Sequence, residues 1–277
     1  MRTYYDRPIL KEPVWKWYVP AYFFTGGLAA GTSLLAAGAR LTGDERTARR
    51  CLLASLGATA VSTVFLIEDL GRPARFLNML RVAKPTSPMS VGSWVLAAFG
   101  TATAAAVVTG SRAAHAVSAT LAPVLATYTA VLIADTAIPA WHEARTELPF
   151  VFAGGALASS GALATLVAPH PAARRLAVAG SVLELAASRR MKSRLGPLAD
   201  PYHGGAAGGL SKLAEATTAA GALLLTVRRW RAPAVLILAG AAAERFAIFH
   251  AGVASARDPR QTLVAQREAT AAEVRPW

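Results

Sequence analysis

The chain has 277 residues, of which 54% are hydrophobic and only 16% are charged, whereas soluble domains carry about a quarter charged residues. Its formal net charge is +13, but Lys and Arg cluster in short loops between apolar runs, which fits lipid headgroups rather than nucleic acid. Cys51 is the only cysteine, so this chain cannot by itself supply an iron–sulfur cluster, a multi-cysteine zinc site or a disulfide. We therefore expect a polytopic protein of the lipid bilayer that binds no nucleic acid.

Eight apolar runs follow one another along the chain. Each has about 18 residues or more, enough to cross a hydrocarbon core of about 30 Å. In chain order the predicted spans cover residues 17–39, 50–69, 92–110, 113–139, 148–168, 172–188, 210–227 and 232–256. The uncharged part of the sixth span is short, and Glu184 interrupts it.

The first and fifth spans begin with similar stretches, FTGGLAAG at 24–31 and FAGGALAS at 152–159. A four-helix unit repeated in tandem keeps its orientation, because four crossings return the chain to its starting side. The repeat predicts an all-α integral membrane protein with eight transmembrane helices in two tandem four-helix bundles, at 1–140 and 141–256, and a charged tail at 257–277. Chance similarity between two Gly- and Ala-rich helices is the alternative.

Eight spans place both termini on one side of the membrane, here called face A, together with the polar segments 67–93, 141–147 and 189–209. The opposite face has only short turns, two of them densely basic, which argues that it is cytoplasmic; face A, however, carries more Lys and Arg in total. We expect a multi-pass protein of the plasma membrane with another protein docked on face A.

Polar side chains of the first four spans gather near face A. A hydrophobic pocket edged by a carboxylate, a tyrosine hydroxyl and a histidine suits a quinone, whose carbonyl oxygens need hydrogen-bond donors and, on reduction, protons. The candidate quinone-binding residues are Tyr22, Glu68, Asp69, Arg72, Tyr128, Asp135 and His142. The alternatives are an interfacial belt position for the tyrosines, a solvated helix end for Glu68 and Asp69, and a solvated loop for His142.

A second polar set lies in the last four spans and comprises Glu184, Glu215, Glu244, Arg245 and His250. A buried arginine must find an acid or backbone carbonyls, and Glu184 is the first candidate by depth. This set forms either a proton path or an interhelical clamp. The histidines form no pair at matched depth on facing helices, so we expect no haem.

Three motifs resemble the NrfD/polysulfide reductase family of membrane anchor subunits. They are YFFTGGLAAG at 22–31, DLGRPARF at 69–76 and KPTSPMSVGSW at 84–94, with weaker matches at 139–141 and 149–150. The resemblance extends over the eight-helix layout and is to anchors associated with formate-dehydrogenase-like enzymes. In this family the corresponding quinone-site positions are Tyr22, Asp69 and Tyr128.

The resemblance implies a quinone site in the first bundle, with menaquinone or ubiquinone as the ligand. The implied partners are a four-cluster iron–sulfur subunit and a molybdopterin catalytic subunit. Arg75, Arg81 and Lys84 would then face an acidic rim on the iron–sulfur subunit, although contact with lipid headgroups explains each of them equally well.

Together these observations predict a membrane anchor subunit, not catalytic by itself, that exchanges electrons between iron–sulfur clusters and a membrane quinone. We expect neither haem nor an iron–sulfur cluster in this chain. A polytopic secondary transporter and a purely structural anchor without quinone binding are the alternatives. A transporter with a midplane site predicts inverted repeats and broken helices near the bilayer centre, whereas the repeat in this chain is parallel.

Overall fold

The structure is a computed structural model that describes residues 9–72, 74–227 and 231–264. These residues form helices and connecting turns without a strand, so the all-α prediction is confirmed for them. The helices are α1 (Tyr18–Leu41), α2 (Glu45–Asp69), α3 (Ala74–Leu80), α4 (Pro88–Thr109), α5 (Arg112–Ala134), α6 (Pro139–His142), α7 (Leu148–Val167), α8 (Pro171–Leu195), α9 (Asp200–His203), α10 (Gly205–Val227) and α11 (Ala232–Arg257).

Six of these helices, α1, α2, α4, α5, α7 and α11, are long and apolar enough to cross a membrane. Helices α8 and α10 have 25 and 23 residues, so at 1.5 Å per residue they are also about 35 Å long. Both are more polar, with charged residues such as Glu184 and Glu215 within them. The chain is thus a multi-pass membrane protein with at least six candidate spans.

Two predicted boundaries are wrong. The sequence predicts a fourth span that reaches residue 139, but α5 ends at Ala134 and a separate turn, α6, begins at Pro139. The reason is that proline disfavours a helical conformation in the residue before it, and Ile138 is accordingly extended. The polar segment 189–209, which the sequence predicts to be a loop between the sixth and seventh spans, is also largely helical, because α8 continues to Leu195 and α10 begins at Gly205.

An ion pair explains why the charged end of α8 remains helical. The Arg194 guanidinium donates from Nε and Nη2 to the two carboxylate oxygens of Glu147 over 2.6 and 2.7 Å. Glu147 precedes α7 and is buried, so the pair ties the end of α8 to the start of α7. Such bidentate contacts are the stronger kind of charged hydrogen bond.

Helix α1 packs against α2, α5, α7 and α11. Its crossing with α7 uses small residues, because a Cβ on Gly31 would lie 2.7 Å from the Ala156 carbonyl oxygen and would also overlap the Ser160 side chain. Gly27 approaches Ala156 on the same side of α1. Close approach through residues spaced four apart is a common way for membrane helices to associate.

The helices pair in the same order in both halves of the chain. In the first half α1 contacts α2 and α5, and α4 contacts α2 and α5. In the second half α7 contacts α8 and α11, and α10 contacts α8 and α11. Between the halves, α1 touches α7 and α11, while α5 touches α7.

The short helix α6 closes one end of the structure with a buried tryptophan. Trp141 is fully buried, and its indole N–H donates to the Ile248 carbonyl over 2.8 Å. Its ring rests on Gly252 of α11, where a Cβ would collide with the indole. Trp15, just before α1, stacks on Trp141 with 5.9 Å between ring centroids. The end of the structure around Trp15, which carries α3, α6 and α9, is called the loop-bearing end below.

Candidate functional site

A small cavity lies between α1, α2, α4 and α5 at the loop-bearing end. Three predicted quinone-site residues line it together: Tyr22 from α1, Asp69 from the end of α2 and Tyr128 from α5. Met79 of α3 and Met89 of α4 contribute flexible apolar walls. The cavity volume is about 40 Å³, room for one or a few water molecules, so a larger ligand requires these walls to move.

The two tyrosines form the inner part of this cavity. Their rings meet edge to face with 6.4 Å between centroids, and both side chains are buried. The Tyr22 hydroxyl is buried and has no hydrogen-bond partner among the described residues. A buried hydroxyl without a partner costs about 1–3 kcal/mol, which favours a water or a ligand oxygen beside it.

The ring of Tyr128 lies directly against Gly92 on α4. A Cβ at Gly92 would fall within the tyrosine ring, with Cζ at 2.8 Å, so only glycine allows this approach. Sequence reasoning included Gly92 in the KPTSPMSVGSW motif but gave it no role. A glycine inside a helix was the available signal, because it costs helix stability unless close packing requires it.

The same motif forms a closed loop above the cavity. Ser87 caps α4, and Pro88 occupies its first turn. The Ser90 hydroxyl donates to the Val82 carbonyl over 2.8 Å and accepts the Lys84 backbone N–H over 3.0 Å. The Trp94 indole N–H also reaches the Val82 carbonyl, over 3.3 Å. These bonds hold the loop between α3 and α4, the two helices that supply Met79 and Met89 to the cavity.

Asp69 lies at the rim of the cavity and is half-buried. Lys16, two residues before α1, is the cation beside its carboxylate. We had not predicted a role for Lys16, because nothing in the local pattern shows that the segment before α1 returns to the end of α2. The cavity thus has an acid at its mouth and hydroxyls deeper inside.

The other four predicted quinone-site residues do not line this cavity in the described part of the chain. Glu68 and Arg72 are exposed. Asp135 was expected inside a span, but this is wrong: it is the exposed residue that ends α5, and its backbone N–H bonds to the Val131 carbonyl over 2.9 Å.

His142 of α6 is exposed, and both of its ring nitrogens contact neighbouring groups. Its Nδ1 lies 3.0 Å from the Ala134 carbonyl oxygen, which only accepts, so Nδ1 carries the proton. Nε2 then accepts from Arg145 over 3.1 Å. This arrangement stabilises the turn after α5 and leaves no free ring nitrogen aimed at the cavity.

The predicted docking residues Arg75, Arg81 and Lys84 are all exposed around α3 and the following loop. Arg75 donates to the Leu70 carbonyl over 3.3 Å, which leaves the rest of its guanidinium free to meet a partner or lipid. Along the chain, these cations lie on either side of Met79, the residue by which α3 lines the cavity.

Three members of the second polar set, Glu184, Glu244 and Arg245, are buried where α7, α8 and α11 meet. Arg245 donates to the Phe152 carbonyl over 2.9 Å, and its guanidinium carbon lies 4.1 Å from the Phe152 ring centroid. Its Nη1 is 3.5 Å from a Glu184 carboxylate oxygen. Glu244 accepts the Ser188 hydroxyl over 2.7 Å. These three side chains therefore tie three helices together in the second half of the chain.

A family model for polysulphide reductase, NrfD, matches residues 9–198 of this chain. The match includes the cavity, the loop above it and the helices α6, α7 and α8, the last of which ends at Leu195. A comparison with curated proteins found no match. Proteins of this family are membrane subunits of polysulfide reductase-like complexes and partner with oxidoreductase subunits.

Proposed function

The chain belongs to the NrfD family, and on that premise we propose that it anchors an oxidoreductase in the membrane and exchanges electrons between that enzyme and a quinone. The observation that carries the proposal is the meeting of Tyr22, Asp69 and Tyr128 around one buried cavity. A quinone here is a substrate, with menaquinone or ubiquinone as the two candidates.

A quinone needs hydrogen-bond donors at its carbonyl oxygens and, on reduction, protons, and the three residues can supply both. The partnerless Tyr22 hydroxyl and the Tyr128 phenol are donors for carbonyl oxygens inside an apolar space. Asp69 at the mouth can relay protons between the loop-bearing end and the cavity. A quinone ring exceeds about 40 Å³, so its entry displaces the Met79 and Met89 side chains, whose unbranched chains adapt easily.

The proposal includes an architecture of eight spans in two tandem four-helix bundles. The pairing order of α1, α2, α4 and α5 recurs in α7, α8, α10 and α11, which supports it. A pseudo-twofold axis would exchange α1 with α7 and α5 with α11, and would therefore relate the α1–α11 contact to the α7–α5 contact. Both contacts occur. With both termini on one side, the loop-bearing end is then the docking face.

Our proposed partners are a four-cluster iron–sulfur subunit and a molybdopterin catalytic subunit, of the formate-dehydrogenase-associated type, in the plasma membrane. The exposed Arg75, Arg81 and Lys84 beside the cavity support a docked subunit with an acidic rim. Electrons would then cross a short distance between the partner's clusters and the cavity.

The test uses the complex purified with its partner subunits. We would follow electron transfer from a soluble quinol to an artificial one-electron acceptor in Asp69→Asn, Tyr22→Phe and Tyr128→Phe variants. We expect turnover to fall at least about tenfold in Asp69→Asn, since positioned proton transfer contributes about 10²–10⁴-fold. Asp135→Asn is the matched control, because this acid is exposed and does not line the cavity.

Equal turnover in Asp69→Asn, Tyr128→Phe and Asp135→Asn would reject the site. An assembled wild-type complex that does not oxidise the quinol would identify a structural anchor. Transport of a solute by the purified chain without its partners would instead identify a transporter.

A further inference from the structure

We infer that Glu184 and Glu244 share one exchangeable proton and form a buried proton-holding site in the second half of the chain, reached from the loop-bearing end along α8. This site is separate from the cavity around Tyr22 and does not depend on the proposed quinone chemistry. Its ligand is a proton, and the evidence is a count of buried charges together with the hydrogen bonds that they lack.

The cluster contains two acidic side chains and one basic side chain. Glu184, Glu244 and Arg245 are each 2–3% exposed. Arginine keeps its charge in proteins, so two ionised carboxylates would leave this buried site with a net negative charge. An uncompensated charge in a low-dielectric interior is costly, and a group that can take up a proton does so instead.

The hydrogen bonds point to the same conclusion. Neither carboxylate oxygen of Glu184 has a hydrogen-bond partner among the described residues. Its contact with Arg245 Nη1 is 3.5 Å long, and the other guanidinium nitrogen, Nη2, bonds to the Phe152 carbonyl instead. An ionised carboxylate needs several donors, whereas a protonated one needs fewer and brings a donor of its own.

Glu244 has the better surroundings for a negative charge. It accepts the Ser188 hydroxyl over 2.7 Å, and the buried Tyr202 of α9 lies close enough to sense its charge. The Tyr202 hydroxyl has no partner among the described residues. One proton between the two acids, held on Glu184, therefore leaves the cluster with one anion and one cation.

A line of polar side chains connects the cluster with the loop-bearing end. Glu184, Ser188 and Lys192 follow one another at four-residue spacing on α8 and so share a face. Lys192 Nζ contacts Glu215 of α10 over 3.0 Å and Ser211 over 2.6 Å. Glu215 has a side chain that is about one-third exposed, so we place the outer end of the line at this residue.

The packing makes room for this cluster. A Cβ on Gly155 of α7 would overlap both Glu184 and Arg245, and one on Gly154 would lie 2.5 Å from the Glu184 backbone nitrogen. Both glycines belong to the FAGG stretch that marks the start of the second half. The charged and titratable groups of the site are Glu184 from α8, Glu244 and Arg245 from α11 and Tyr202 from α9, whereas Lys192 of α8 and Glu215 of α10 form the outer end of the polar line.

Infrared spectroscopy of the purified full-length chain tests this inference. A protonated carboxyl absorbs separately from a carboxylate, and exposed Asp and Glu are ionised at neutral pH. We expect a protonated-carboxyl band at neutral pH that shifts in D₂O and disappears in both Glu184→Gln and Glu244→Gln. Glu147→Gln, which removes an ionised acid paired with Arg194, is the control and should keep the band.

The inference remains testable even if Glu184→Gln or Glu244→Gln does not fold, because the wild type and Tyr202→Phe also report on it. A wild-type chain without the band at neutral pH overturns the inference, and so does a band that persists in both folded glutamine variants. Tyr202→Phe, which removes only the hydroxyl beside Glu244, should shift the band frequency without abolishing the band. If protons reach the cluster along α8, Glu215→Gln should slow the exchange of the carboxyl proton for deuterium in D₂O. An unchanged exchange rate would reject that route.

Discussion

The phenol ring of Tyr128 lies against the bare Cα of Gly92, so that any Cβ at position 92 would occupy the volume of the ring. This contact joins the KPTSPMSVGSW loop to the candidate quinone cavity. The loop shapes the start of α4, and α4 in turn determines where Tyr128 lies.

Gly92→Ala should displace the Tyr128 ring and lower quinol oxidation by the complex at least about tenfold. Overpacking of this kind costs about 1–3 kcal/mol, so thermal unfolding of the chain should also begin at a lower temperature. Gly57→Ala on α2 is the matched control, because no atom lies within 4 Å of its new Cβ. Equal quinol oxidation in the two variants would show that the Tyr128 position is irrelevant to turnover.

The crossing of α1 and α7 gives a second prediction. Gly31→Leu should separate the two helices, because even a Cβ there overlaps Ser160. We expect loss of the folded chain, or a melting temperature lowered by several degrees, in detergent. Gly38→Leu, seven residues later on α1 with open space around it, should melt like the wild type. A similar loss in both variants would mean that leucine itself, and not the crossing, is harmful.

The fully buried side chain of Trp141 gives a third prediction. Trp141→Ala should cost about 3–5 kcal/mol of unfolding free energy, since a fully buried aromatic ring is removed from beside Gly252 and Trp15. Trp17→Ala, at a position 55% exposed, provides the comparison and should cost much less. Denaturant unfolding of the two purified variants measures the difference.

A fourth prediction concerns pH. The hydrogen bonds from Arg194, opposed in part by burial, lower the pKa of Glu147 below its ordinary value of about 4.3. A lowered pKa in the folded state means that the contribution to stability is complete above the ordinary pKa and is lost as the pH falls through the folded value. Wild-type thermal stability should therefore fall more steeply below about pH 4.3 than that of Glu147→Gln, which lacks this titration. Parallel curves for the two proteins from neutral to acid pH would contradict the prediction.

Local sequence patterns predicted the long helices well, because the run of apolar residues that each one contains is a property of that segment alone. They were less successful at the polar ends. The arginines at the end of α8 predict a loop, whereas the Arg194–Glu147 pair keeps this segment helical. That pair joins residues 47 positions apart, so no local pattern contains it.

By itself, the sequence determined that this is a multi-pass helical membrane protein, since hydropathy and length are properties of each segment alone. Its motifs also contained Tyr22, Asp69 and Tyr128. Only the tertiary structure decided that these three meet at one cavity while Glu68, adjacent to Asp69, lies outside it. The physical reason is rotation: successive helical residues point about 100° apart, and which direction faces a neighbour is set by how whole helices pack.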